Sequence, residues 1–156
     1  MSDRFKVYRL NPDEIIDEVG AADRLTPKLF PKGGGMKRFV THPGLEFRAG
    51  HTKLSPGQGL KTFFWYDEFW VVRRGQGRLD ATDRISGETE SVELGPSDTV
   101  FFGKGVHARA EAIGDEPLVF FYVALPASKK DAAWLAVMTP EDIEDVRLRE
   151  EYSASS

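Results

Sequence analysis

Between Arg38 and Ala124 the chain is broken at short, even intervals by glycine and proline. The breaks are Pro56-Gly57-Gln58-Gly59, Gly75-Gln76-Gly77, Ser86-Gly87, Gly95-Pro96-Ser97-Asp98, Gly103-Lys104-Gly105 and Gly114-Asp115-Glu116-Pro117. Each supplies the backbone conformations that tight reversals require, and no long helix persists through such punctuation. The runs between them are short, β-branched and aromatic. This predicts an all-β sandwich or closed barrel, with six turns implying about seven consecutive strands.

The flanks read differently. Asn11-Pro12-Asp13-Glu14-Ile15-Ile16-Asp17-Glu18 predicts a short helix capped by Asn11 and ended by Gly20. The glycine-rich stretch from Phe30 to Gly35 reads as a linker or mobile loop, since no GKS or GKT ending accompanies it to make a phosphate cradle. After Pro126, Ser128 caps a segment through Asp131 to Met138, and Thr139-Pro140-Glu141-Asp142 opens a second with an acid at the third helical position. The expected organisation is an arm over 1–35, a barrel over 36–126 and a helical tail over 127–156.

With 156 residues and 40% hydrophobic content, one domain fills its own core. The absence of cysteine removes disulfides, thiolate metal sites and a cysteine nucleophile. The first residues, MSDRFKVYRL, lack a secretory signal, and no apolar run approaches the ~20 residues that span a bilayer, so a cytoplasmic protein is expected. A net charge of -4 gives no broad attraction for nucleic acid or a membrane surface, which leaves a small-molecule ligand as the expected partner.

Chemistry concentrates in Lys61-Thr62-Phe63-Phe64-Trp65-Tyr66-Asp67-Glu68-Phe69-Trp70-Val71-Val72-Arg73-Arg74-Gly75. Strand alternation puts Glu68, Trp70 and Val72 on one face and Phe69, Val71 and Arg73 on the other. Glu68 therefore lies among apolar side chains, where a carboxylate needs a cation, a hydrogen-bond network or a metal. Thr62, Phe64, Tyr66 and Trp70 line the same wall if the strand is unbroken, and the Tyr66 hydroxyl either donates a proton or satisfies Glu68. Phe69 and Val71 are left for the N-terminal arm or a second subunit to cover, which makes a homodimer the expected assembly.

Glu68 with Gly75, six residues intervening, and the run from Gly95 to His107 resemble the two motifs of the cupin superfamily. Tyr66-Asp67-Glu68, Phe101-Phe102-Gly103-Lys104-Gly105 and Phe120-Phe121-Tyr122-Val123-Ala124-Leu125-Pro126-Ala127 resemble in particular the ethanolamine-utilisation Q (EutQ-like) group. The resemblance implies a single jelly-roll β-barrel with short terminal helices, frequently dimeric, without a guaranteed metal. It places Glu68 and His107 as acid-base groups or metal ligands, with Tyr66 as a proton donor. Thr62, Phe64, Trp70 and Phe102 are then expected to line the substrate pocket.

The departures bear on chemistry. The two histidines of the first cupin motif fall here on Thr62 and Phe64. His107 follows Gly105 by two residues where the family usually has three, which reverses its side chain in a strand unless a bulge restores it. A divalent ion, Fe, Mn, Ni or Zn, needs a third ligand beside Glu68 and His107, and His51 is the candidate, although it faces outward if Thr52 and Leu54 face inward. His42, before Pro43-Gly44, reads as a turn residue. Two function classes stay open: an isomerase, lyase or hydrolase acting on a small metabolite, with or without a metal, and a non-catalytic binding or assembly barrel.

Overall fold

The computed structural model describes residues 34–38, 48–125 and 136–155. The expected helix at 11–18, the glycine-rich stretch up to residue 33, His42 and most of the 128–138 segment lie outside the described residues.

The nine described strands are β1 (Gly35–Arg38), β2 (Arg48–Leu54), β3 (Gly59–Phe63), β4 (Glu68–Arg74), β5 (Gln76–Asp83), β6 (Thr89–Leu94), β7 (Thr99–Phe102), β8 (Val106–Ile113) and β9 (Leu118–Ala124), followed by helix α1 (Pro140–Ser155). They form two antiparallel sheets, β1-β2-β9-β4-β7 and β3-β8-β5-β6. The chain changes sheet at nearly every connection, which is the jelly-roll arrangement expected from the sequence.

All six glycine or proline breaks lie between strands or at their ends. At Gly75 the requirement is strict. Its φ is +76°, and a Cβ there would lie 2.2 Å from the Pro117 carbonyl oxygen. Only glycine lets the chain pass from β4 to β5 against the β9 approach.

The count of about seven strands falls one short, because residues 38–124 hold eight strands after β1. The missed break is at Phe64–Asp67, between β3 in one sheet and β4 in the other. It carries neither glycine nor proline and is held by backbone bonds instead: Phe64 N–H to Val106 O and Gly105 N–H to Phe64 O, both 2.8 Å, and Leu125 N–H to Asp67 O at 2.9 Å. Tyr66 therefore belongs to a crossing segment rather than to the strand of Glu68.

Alternation decides what enters the barrel. On β4, Glu68, Trp70 and Val72 are buried while Phe69, Val71 and Arg73 are exposed, as expected. On β8 the inward residues are Ala108, Ala110 and Ala112, and on β9 they are Leu118, Phe120, Tyr122 and Ala124. The alanines of β8 make room for aromatic rings from the other sheet: Phe64 stacks on Phe102 at 4.6 Å, and Trp70 stacks on Phe120 at 4.2 Å. On the outer face of the larger sheet, Phe69, Val71 and Phe101 keep 39%, 36% and 57% of their surface exposed.

Helix α1 begins as the sequence indicates. Asp142 N–H donates to the Thr139 hydroxyl at 3.1 Å, and Thr139 N–H donates to the Asp142 carboxylate at 3.0 Å, a reciprocal cap. The helix is tied to the smaller sheet through three acids, two of them bonded to the edge strand β3. Glu141 pairs with Lys61, Asp142 pairs with Arg84 at 3.0 Å, and Asp145 accepts from the Phe63 N–H at 3.0 Å and the Thr62 hydroxyl at 3.3 Å.

Candidate functional site: a buried carboxyl in an aromatic barrel

Glu68 opens β4 and points into the barrel, 6% exposed. Its Oε2 accepts the Trp70 indole N–H at 2.6 Å. Burial pushes the carboxyl up to about 7, against the indole hydrogen bond and the Arg48 guanidinium, which both favour the ion. A group so placed is half-protonated near neutrality.

Arg48 is the residue the sequence reading missed. Register puts Arg48 opposite Ala124 and Ala124 opposite Glu68, with Phe102 on the far side of Glu68. All four share the inward face, so Arg48 and Glu68 stand two strands apart, roughly 10 Å between backbones, over the small side chain of Ala124. The Arg48 guanidinium lies 4.8 Å above the Tyr66 ring, a cation–π contact that fixes its direction. A signal did exist, since Arg48 shares strand parity with Thr52 and Leu54, the pair whose inward facing was already used to orient His51.

Of the residues expected at the site, Tyr66, Phe64, Trp70 and Phe102 are buried in one aromatic cluster around Glu68. Thr62 is 4% exposed and pairs with inward-facing Ala108, but its hydroxyl bonds to Asp145 of α1.

His107 is not brought to Glu68. The β8 register runs unbroken from Gln76↔Ile113 to Asp83↔Val106, so no bulge compensates the one-residue offset after Gly105. The imidazole consequently lies on the outer face, beside Ala108 rather than in its place. Burial first, then the charges of Arg84, Arg109 and Lys61 acting against the opposing pull of Asp142, lower its pKa to about 4. These neighbours belong to the surface under α1.

His51 does not join either. It occupies the outer face of β2, as the inward Thr52 and Leu54 require, with its ring 5.5 Å from Phe121. Arg73 Nη1 lies 3.2 Å from His51 Nε2. A guanidinium only donates, so Nε2 is the acceptor and the ring is neutral. Burial, then the Arg73 charge, lowers its pKa to about 4.

The three expected metal ligands thus occupy three places: the barrel interior, the outer face of one sheet and the outer face of the other. The positions of the family's remaining ligands carry Thr62, Phe64 and Ala108. Among the described residues no group of three or more His, Asp or Glu side chains could hold a metal ion. Glu68, His51 and His107 therefore do not converge on one divalent cation.

No family model matches the chain, and no curated protein is similar to it. Solved structures are. A putative ethanolamine utilization protein Q of Salmonella typhimurium is 26% identical, with TM-score 0.48 over 63% of this chain and 73% of that one. An RmlC-like cupin with a double-stranded β-helix fold from Methanocaldococcus jannaschii is 19% identical, with TM-score 0.54 over 79% and 92%. A cupin 2 conserved barrel domain protein of Salinispora arenicola is 18% identical, with TM-score 0.53 over 84% and 95%. Two antiparallel sheets closed on an aromatic interior give this chain the jelly-roll fold of these cupin barrels.

Proposed function

We propose that the barrel is a metal-independent site for a small polar metabolite, in which Glu68 gives and takes a proton. The observation that supports this is a carboxyl buried among aromatic rings with a pKa raised to about 7. An acid whose pKa matches ambient pH is the efficient proton-transfer group, and it needs no metal to act on a carbon acid or a leaving hydroxyl. Isomerase or lyase chemistry suits one such group better than hydrolysis, which also requires an activated water. Arg48 supplies the positive charge a developing oxyanion needs, and the Tyr66 ring orients it.

A second reading rests on the packing. The rings of Phe64, Trp70, Phe102 and Phe120 pack stacked or edge-on with centroids 4.2 to 4.6 Å apart, as in a barrel that holds a ligand or a partner without turnover. The test is proton NMR of a panel of small hydroxy and keto acids incubated in D2O with the wild type and with Glu68→Gln. Proton exchange or conversion that falls at least 100-fold in the variant, survives EDTA and inflects near pH 7 is expected. Activity unchanged in Glu68→Gln, or lost to EDTA, rules the proposal out. Ligand binding without conversion selects the second reading.

A further inference from the structure

We infer that Trp70 is the positioning residue of this site: its indole N–H holds Oε2 of Glu68 and thereby makes Oε1 the oxygen that carries and exchanges the proton. This deepens the proton-transfer reading of Glu68, on which it rests, by naming the reacting atom and the group that selects it.

The bond begins with strand geometry. Residues two apart on β4 point to the same face, so the Trp70 ring stands beside the Glu68 carboxyl inside the barrel. The indole is buried and its direction is fixed by other rings. It stacks on Phe120 of β9 with centroids 4.2 Å apart, meets Phe102 of β7 edge-on at 4.5 Å, and meets Phe64 edge-on at 6.2 Å. Rings from three separate segments thus aim one N–H. It reaches Oε2 at 2.6 Å, shorter than the ~2.9 Å of an ordinary N–H···O bond.

The choice of oxygen follows from what an indole can do. Its nitrogen donates and never accepts. In the ionised carboxylate both oxygens are acceptors, and the bond is charge-assisted. On protonation one oxygen becomes a hydroxyl and the other stays a carbonyl, which is the better acceptor of the two. A donor held at Oε2 keeps the carbonyl there, and the proton goes to Oε1. The same bond tunes the acid. Burial raises the proton affinity of Glu68, and of the two influences that oppose it the Trp70 bond is larger than the Arg48 charge from β2. Without the indole the carboxyl would stay protonated further above neutrality.

The test is spectroscopic and uses the full chain. In the wild type, the Trp70 indole N–H resonance should move with pH through the same midpoint as the Glu68 carboxyl carbon, and it should stay flat in Glu68→Gln. The C=O stretch of protonated Glu68, isolated in the infrared by subtracting Glu68→Gln at pH 5, should lie in the range of a hydrogen-bonded carbonyl. Trp70→Phe keeps an aromatic ring and loses the donor, so the Glu68 midpoint should rise by about one pH unit. Arg48 is the same in both proteins, so that difference reports the indole. An indole resonance that ignores the Glu68 titration, or a C=O stretch at the position of a free carbonyl, overturns the inference without any Trp70 variant having to fold. An unchanged midpoint in a Trp70→Phe protein that circular dichroism shows to be folded overturns it as well. A wild-type Glu68 midpoint near 4.5, with the indole titrating alongside, takes down the proton-transfer reading instead and leaves the indole's hold on Oε2 standing.

Discussion

Replacing Glu68 by Gln removes an ionisation while keeping the shape and the acceptor for the Trp70 indole. The folded carboxyl holds its proton up to about pH 7, whereas an unperturbed glutamate releases it near 4.5. Between those values the native state binds a proton that the unfolded state lacks, so stability falls as pH rises, by about 1.4 kcal/mol per pH unit. The interval corresponds to on the order of 3 kcal/mol, fully present below pH 4.5 and lost above pH 7. Because Glu68 is 6% exposed, little of this is screened by solvent. His51, His107 and Asp145 also titrate with shifted values, but they do so in both proteins and cancel in the difference. Urea unfolding at pH 5, 6, 7 and 8 measures that difference, provided the slopes agree. Relative to the wild type, Glu68→Gln should gain roughly 2–3 kcal/mol between pH 5 and pH 8. A gain below about 0.5 kcal/mol would show that the carboxyl titrates alike in both states, and a buried proton carrier in the barrel would then be untenable.

Three further outcomes follow from the geometry. Gly75→Ala should cost roughly 3 kcal/mol or more in urea unfolding, since its Cβ meets the Pro117 backbone; Gly57→Ala, at similar positive φ but with nothing within 4 Å, should cost about 1 kcal/mol, and equal costs would contradict the steric argument. Arg84→Met strands the Asp142 carboxylate, 1% exposed, and should cost about 2–4 kcal/mol, read from the urea midpoint, with Arg84→Lys recovering part of it. The Phe69–Phe101 pair, 5.1 Å apart on an open sheet face, is proposed to meet a second copy. Light scattering should then show a dimer that Phe69→Ser with Phe101→Ser converts to monomer, and a wild-type monomer at 100 μM removes that assembly.

The β architecture was legible because turns are local. Glycine at Gly75 or Gly114 is demanded by its own φ, and the reading of six breaks succeeded at each. The break at Phe64–Asp67 was not legible, because it is made by hydrogen bonds to β8 and to Leu125, distant in sequence. Strand parity likewise fixed the faces of Glu68, Trp70 and His51 from neighbours two residues away. Parity cannot say which inward residue of one strand stands opposite which of another. The Arg48–Ala124–Glu68–Phe102 row exists only once three strand registers are set.

His107 shows where resemblance and register part company. Its place in the second motif suggested an imidazole converging on Glu68, yet a strand side chain has two directions, and a one-residue offset selects the wrong one. A bulge costs ladder hydrogen bonds, and β8 sits between β3 and β5, paired on both edges, where that loss would fall on two neighbours at once. The unbroken ladder wins, and small Ala108 takes the inward position. That substitution in space lets the aromatic rings of the opposite sheet advance into the barrel, which desolvates Glu68 and raises its pKa. On this argument, Ala108→His alone would not build a metal centre, because Thr62 and Phe64 still stand where the first motif has its two histidines.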